Sequence, residues 1–139
     1  MKFDVPTEDE YALVFDSWSR SFKKSPWAGC VTNDMYDQVS RRTIADILDR
    51  GATVRVACAE LPTGGRRVMG YVVCEPEKRI LHWLFVKRDF RGMGVGSSLL
   101  REVVKDDETW TYTHRTRASV KFLGPQFEWD PVPARVRAA

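Results

Sequence analysis

The sequence predicts one α/β (α+β) domain, a mixed and mostly antiparallel central sheet flanked by helices. Three observations carry that expectation. Two helical stretches precede Gly51, the apolar period then drops to two, and a glycine-rich turn stands between the strongest strand pattern and a further apolar helix. At 139 residues and 43% apolar, the chain is long enough to bury one core. The single domain is expected over 1–139, with 115–139 a shortened, irregular C-terminal part.

Lys2–Val5 reads as a short strand. Thr7 and Glu10 fit a capping box, in which each side chain satisfies an amide that the helix start leaves open. Tyr11, Val14, Phe15, Trp18 and Phe22 recur at helical spacing, so a helix is expected from about 8 to 22. Pro26 and Gly29 break the pattern within "KKSPWAGCVTN", which reads as a loop. A second helix is expected from about Asp34 to Arg50, burying Tyr36, Val39, Ile47 and Leu48 and ending before Gly51. Thr53–Ala59 and Val68–Cys74 are β-rich runs around the turn "LPTGGR", whose glycines suit a hairpin. "EPEK" makes the next turn, and Ile80–Val86 is a third strand. A helix from about Gly94 to Lys105 and a strand at Trp110–His114 follow. Prolines punctuate the tail, where Phe127–Trp129 alone reads as a strand.

The composition removes several classes of function. A net charge of +3, from 22 basic and 19 acidic residues, is too mild to argue for nucleic acid, and no base-reading or stacking motif supports an adaptor of that kind. Cys30, Cys58 and Cys74 are odd in number and share no Cys-x-x-Cys spacing, so reduced thiols and no metal are expected. No apolar run approaches the roughly 18 residues of a membrane span, and "MKFDVPTEDE" holds no signal-peptide core. A soluble, cytoplasmic protein without a membrane partner is the expectation.

"KRDFRGMGVGSSLLREVVK", at 87–105, places Gly92, Gly94 and Gly96 between a strand and a helix. The first amides of a helix have no intrahelical partner and carry the positive end of the dipole, so such a turn can hold phosphate. Glycines let the backbone approach an anion, and Arg91 adds charge. A flexible connection is the plainer alternative. The segment is no Walker loop, because no Gly-Lys-Ser/Thr closes it, and it lacks Gly-x-Gly-x-x-Gly spacing.

Arg91-Gly92-Met93-Gly94-Val95-Gly96, preceded by "ILHWLFV" and followed by "SSLLREVV", resembles the acetyl-CoA signature of the GNAT superfamily of N-acetyltransferases. The order of elements over roughly 1–114 is similar too. The resemblance implies a pantetheine arm along the backbone of Leu84, Phe85 and Val86. It implies pyrophosphate on the turn amides of Gly92, Met93, Gly94, Val95, Gly96 and Ser97, with Arg91 opening the motif. It further implies that Ile80–Val86 and Trp110–His114 splay apart to admit the thioester, whose carbonyl the exposed amides can polarise.

Acetyl transfer to an amine needs a base, because an ammonium has no lone pair. His82 lies on the strand nine residues before Arg91, and "HWLFVKRDFRGMG" resembles the strand histidine pattern of the arylalkylamine acetyltransferases of this superfamily. On an alternating strand it would share a face with Leu84 and Val86, either as base or as a half-buried structural histidine. His114 is the alternative base, acting through water. The family's C-terminal tyrosine, the usual acid, falls on Phe122, and its Gly-Phe pair on Gln126-Phe127. Tyr112, His114 or water remain as acids, and the last helix is shortened or lost.

The acceptor is expected over the loop between the first two helices. There Ser25-Pro26-Trp27 resembles the Pro-Trp of the ribosomal-protein N-terminal acetyltransferases, so Trp27 either lines an acceptor pocket or anchors the loop. The compact chain with its "SPWAG" loop also resembles acetyltransferases of tailed phages. The partner is then an amine-bearing acceptor: a small molecule, a protein amine or a modified nucleobase. Lys23-Lys24, Arg41-Arg42, Arg115 and Arg117 supply modest phosphate contacts or a solvated basic face. A homodimer and a non-catalytic acetyl-CoA-binding module stay open.

Overall fold

The computed structural model describes residues 1–23 and 32–131. Its elements are β1 (Lys2–Asp4), α1 (Glu8–Phe22), α2 (Asn33–Asp49), β2 (Thr53–Glu60), β3 (Arg66–Glu75), β4 (Ile80–Val86), α3 (Val95–Val103), β5 (Trp110–Tyr112), α4 (Arg117–Phe122) and β6 (Phe127–Trp129). The strands form one six-stranded sheet in sequence order. β1 to β4 pair antiparallel, whereas β4–β5 and β5–β6 pair parallel, because α3 and α4 carry the chain back between them.

α1 begins at the expected capping box. Glu10 N donates to Thr7 Oγ1 (3.4 Å), and Thr7 N donates to Glu10 Oε1 (2.8 Å). The Glu10 carboxylate also accepts from the Arg66 guanidinium, which ties the start of α1 to β3, and Arg66 reaches Asp4 of β1 at 2.8 Å. α2 starts one residue before the expected position, at a Thr32 cap whose Oγ1 accepts from Met35 N.

β3 sorts the core into two layers by simple alternation. Tyr71 and Val73 face α1 and α2, meeting Val14, Trp18, Ile44 and Ile47. Val72 and Cys74 face α3, meeting Val95, Leu99 and Trp110. Burying one such aliphatic side chain contributes roughly 1.5–3 kcal/mol. Two expected core positions differ: Tyr11 and Val39 are exposed, and Ser40 and Ile44 take the buried stripe of α2.

Gly70 of β3 pairs with Val86 of β4. A Cβ there would stand 2.5 Å from the Phe85 carbonyl oxygen, inside van der Waals contact, so only glycine fits.

Candidate active site

β4 carries a bulge. Val73 of β3 pairs with Trp83 while its neighbour Cys74 pairs with Leu81, leaving His82 as the extra residue. The bulge re-aims the strand, so Leu81 and Leu84 both reach the α3 layer while Trp83 and Phe85 reach the α1–α2 layer. The expectation that His82 shares a face with Leu84 and Val86 is therefore corrected: simple alternation fails at the residue that matters most. The His82 ring turns to Glu75 and Thr113, and the residue is 2% exposed.

β4 and β5 splay as expected. They pair only at Ile80–Thr111 and Leu81–Tyr112, and Thr113 N closes the contact by donating to the Leu81 carbonyl (3.0 Å). Beyond that point no described strand pairs with the β5-facing edge of β4. The gap opens into a cleft of about 430 Å³ lined by β4 from Leu81 to Val86, by Arg91 and Gly92, by Tyr112 and His114, and by α4 through Ser119 and Phe122. A second cleft, of about 410 Å³, lies against α2 and is lined by Phe22, Ser40, Asp46, Arg50, Arg115 and Trp129. Both clefts touch His82 and His114.

At the mouth of the first cleft the chain leaves β4 through a turn of 3-10 helix at Arg88–Phe90 and enters α3 at Gly94. Gly92 and Gly94 have φ of +79° and +82°, a left-handed backbone that favours glycine. No side chain caps the α3 N-terminus, so no cap competes for its first amides. A Cβ on Gly92 or Gly94 would meet nothing within 4 Å, so the space before those amides is open. Arg91 Nε donates to the Val86 carbonyl (3.0 Å) and braces the turn. Val95 is buried and anchors the helix to the sheet, while Met93 is 69% exposed. An uncapped helix start, open space and a flanking guanidinium together fit an anionic phosphate group.

Four polar side chains run in a line from β3 to the segment after β5. Glu75 Oε2 stands 2.6 Å from His82 Nε2, His82 Nδ1 stands 2.9 Å from Thr113 Oγ1, and Thr113 Oγ1 stands 2.8 Å from His114 Nδ1. Arg50 at 3.4 Å and Lys78 at 3.9 Å also face the Glu75 carboxylate. His114 packs edge-on against Trp18, Phe22 and Trp83. Burial among those rings, with the nearby His82 as a second cause, pushes its imidazole down to about 3.

The structure thus brings His82, Tyr112, His114, Leu84, Phe85, Val86, Arg91 and Gly92 to one cleft. β5 ends at Tyr112, so His114 sits past the strand rather than on it. Phe122 lines the cleft and packs over Gly96, where a Cβ would stand 3.4 Å from its ring. α4 is the shortened last helix, capped by Thr116 and Ser119, each bonding the other's amide. Trp27 and Cys30 lie outside the described residues. Sequence reading missed Glu75, which looked like turn, and Thr113, which looked like strand. No spacing rule links Glu75 to His82, since the bulge creates their contact.

The family model described as acetyltransferase (GNAT) domain matches residues 50–123, just over half of the chain. The chain belongs to this family, and its glycine turn and splayed strands agree with that. Membership makes it an acetyltransferase-type domain, and its family generally draws on acetyl-CoA and acts on an acceptor substrate. No curated protein and no solved structure matches the chain. Among the described residues, no helix is long and apolar enough to cross a membrane, and no group of three or more His, Cys, Asp and Glu side chains could hold a metal ion.

Proposed function

We propose that the protein transfers the acetyl group of acetyl-CoA to a primary amine by direct attack. The observation that carries this reading is the meeting of two clefts at His82 and His114, one rimmed by an anion-ready helix start. Acetyl-CoA belongs in the first cleft. Its phosphates would rest on the amides from Gly92 to Ser97 beside Arg91, and its pantetheine arm would lie along Leu84, Phe85 and Val86. The amine enters through the second cleft, where Asp46 attracts a cation and Phe22 and Trp129 offer apolar cover.

His82 and His114 are the candidate bases, and Tyr112, on the wall of the first cleft, is the candidate acid for the departing thiolate. Phe122 cannot supply that proton. Its presence in the cleft favours a second reading, an acetyl-CoA-binding module without transfer. Incubating the chain with acetyl-CoA and a panel of small amines, peptides and aminated nucleobases, while following free thiol, separates the two. Transfer predicts thiol release that needs both substrates. Binding without release supports the module.

A further inference from the structure

We infer that Glu75, Thr113 and His114 make His82 the store of a proton relay: His114 takes the proton from the amine, and Thr113 passes charge on to His82. This rests on the acetyl-transfer reading for its purpose, and its wiring is argued from the Glu75 carboxylate, which can only accept. A carboxylate only accepts, so Glu75 Oε2 fixes the His82 proton on Nε2, 2.6 Å away. His82 Nδ1 is then an acceptor, and the Thr113 hydroxyl donates to it over 2.9 Å. With its proton so committed, Thr113 Oγ1 accepts from His114 Nδ1 over 2.8 Å. His114 then carries its lone pair on Nε2; the residue lines both clefts and also shares a hydrogen bond with the His82 backbone. One carboxylate dictates the tautomer of a histidine three bonds away along the line.

The relay balances. An ammonium gives one proton to His114 Nε2, whose Nδ1 proton moves to Thr113 Oγ1, while the threonine's own proton moves to His82 Nδ1. The hydroxyl is restored, His114 is neutral, and the positive charge sits on His82 against Glu75. The free amine then attacks the thioester carbon, forming C–N and breaking C–S. The nitrogen's second proton ends on sulfur, and His82 returns its proton to water through the same line. The arrangement answers a difficulty at His114, which is enclosed by Trp18, Phe22 and Trp83 and holds charge poorly. The charge does not rest there. Among the described residues, Arg50 just past α2 and Lys78 after β3 face the Glu75 end of this line, and Asp46 and Arg115 line the second cleft beside its His114 end.

The chain has two histidines, so ¹⁵N-histidine NMR of the whole protein resolves both rings without any substrate. The relay predicts a neutral Nε2–H tautomer at His82 and a neutral Nδ1–H tautomer at His114, and on acidification an imidazolium at His82 first. An Nε2–H tautomer at His114, or charge appearing there first, overturns it. Two substitutions then separate proton passage from packing. Thr113→Ser keeps the hydroxyl and loses a methyl; Thr113→Val keeps the shape and loses the hydroxyl. The relay predicts near-normal kcat in the serine variant, and in the valine variant a loss of about tenfold or more, with unchanged KM for acetyl-CoA and an altered pH profile. A valine variant faster than the serine variant contradicts it. A chain with the predicted tautomers that transfers no acetyl group in any assay fails at the acetyl-transfer reading instead, and the relay's role falls with it.

Discussion

The two halves of the sheet are built to different standards. β2 pairs with β3 from Thr53 to Glu60, and β3 with β4 from Gly70 to Glu75, with apolar layers on both faces. β5 and β6 are three residues each, and β5 touches β4 at two positions before the strands part. The long half satisfies its backbone within the sheet and supplies stability. The short half leaves a strand edge and a helix start unpaired, and those groups are what a phosphate and a thioester can use. Stability and chemistry are separated by the point at which β4 loses its neighbour. His82 lies there, on the bulge.

Substitutions on either side of that point should behave differently. The largest expected effect is at the junction itself: His82→Gln should lower kcat by about 100-fold or more while keeping acetyl-CoA affinity, because the proton taken from the amine loses its place of rest and the phosphate turn is untouched. Steady-state rates beside a binding titration check this, and Tyr112→Phe measured in parallel tests the acid. In the long half, Gly70→Ala should cost about 1–3 kcal/mol in a denaturant titration, since its Cβ collides with the Phe85 carbonyl and β4 must shift. Equal losses of rate and stability in both variants would erase the distinction between the halves.

Acid separates the halves more gently. His114 is pushed down to about 3 in the fold, so between that value and the ordinary 6.5 the unfolded chain binds the extra proton. Stability should therefore fall as pH drops below about 6.5. Glu10 is lowered from 4.5, chiefly by its hydrogen bonds from Arg66, so its contribution is present above that value and lost only as pH falls further. Melting curves from pH 7 to 3 should show two windows of loss. His114→Asn should flatten the upper one, and Arg66→Gln should shrink the lower one, because it removes the guanidinium that bonds the half-buried Glu10 carboxylate and the exposed Asp4.

What the sequence revealed follows the same division. The helical spacing of Val14 and Trp18, the capping box at Thr7 and the β-rich runs at Thr53–Ala59 and Val68–Cys74 are local signals, and each matches an element in place. The glycines at 92 and 94 were legible because a left-handed turn demands them. The bulge was not legible: one extra residue opposite Val73 and Cys74 is a property of pairing, and it decides where His82 points. Glu75 and Thr113 stayed hidden for that reason, since their roles exist only across strands. α4 was half legible, because Thr116 and Ser119 form its cap with a serine where a glutamate would have marked it.

The central claim is that the α3 start holds acetyl-CoA. Titration calorimetry, paired with a thermal melt, tests it most directly. The account predicts saturable binding by the wild-type chain and a raised melting temperature, since a ligand that binds only the folded state stabilises it. Gly94→Val should fold, melt somewhat lower and bind no acetyl-CoA, because a branched side chain at φ +82° strains the turn and fills the phosphate's space. A wild-type chain that gives no heat and no melting shift with millimolar acetyl-CoA contradicts the account at its root.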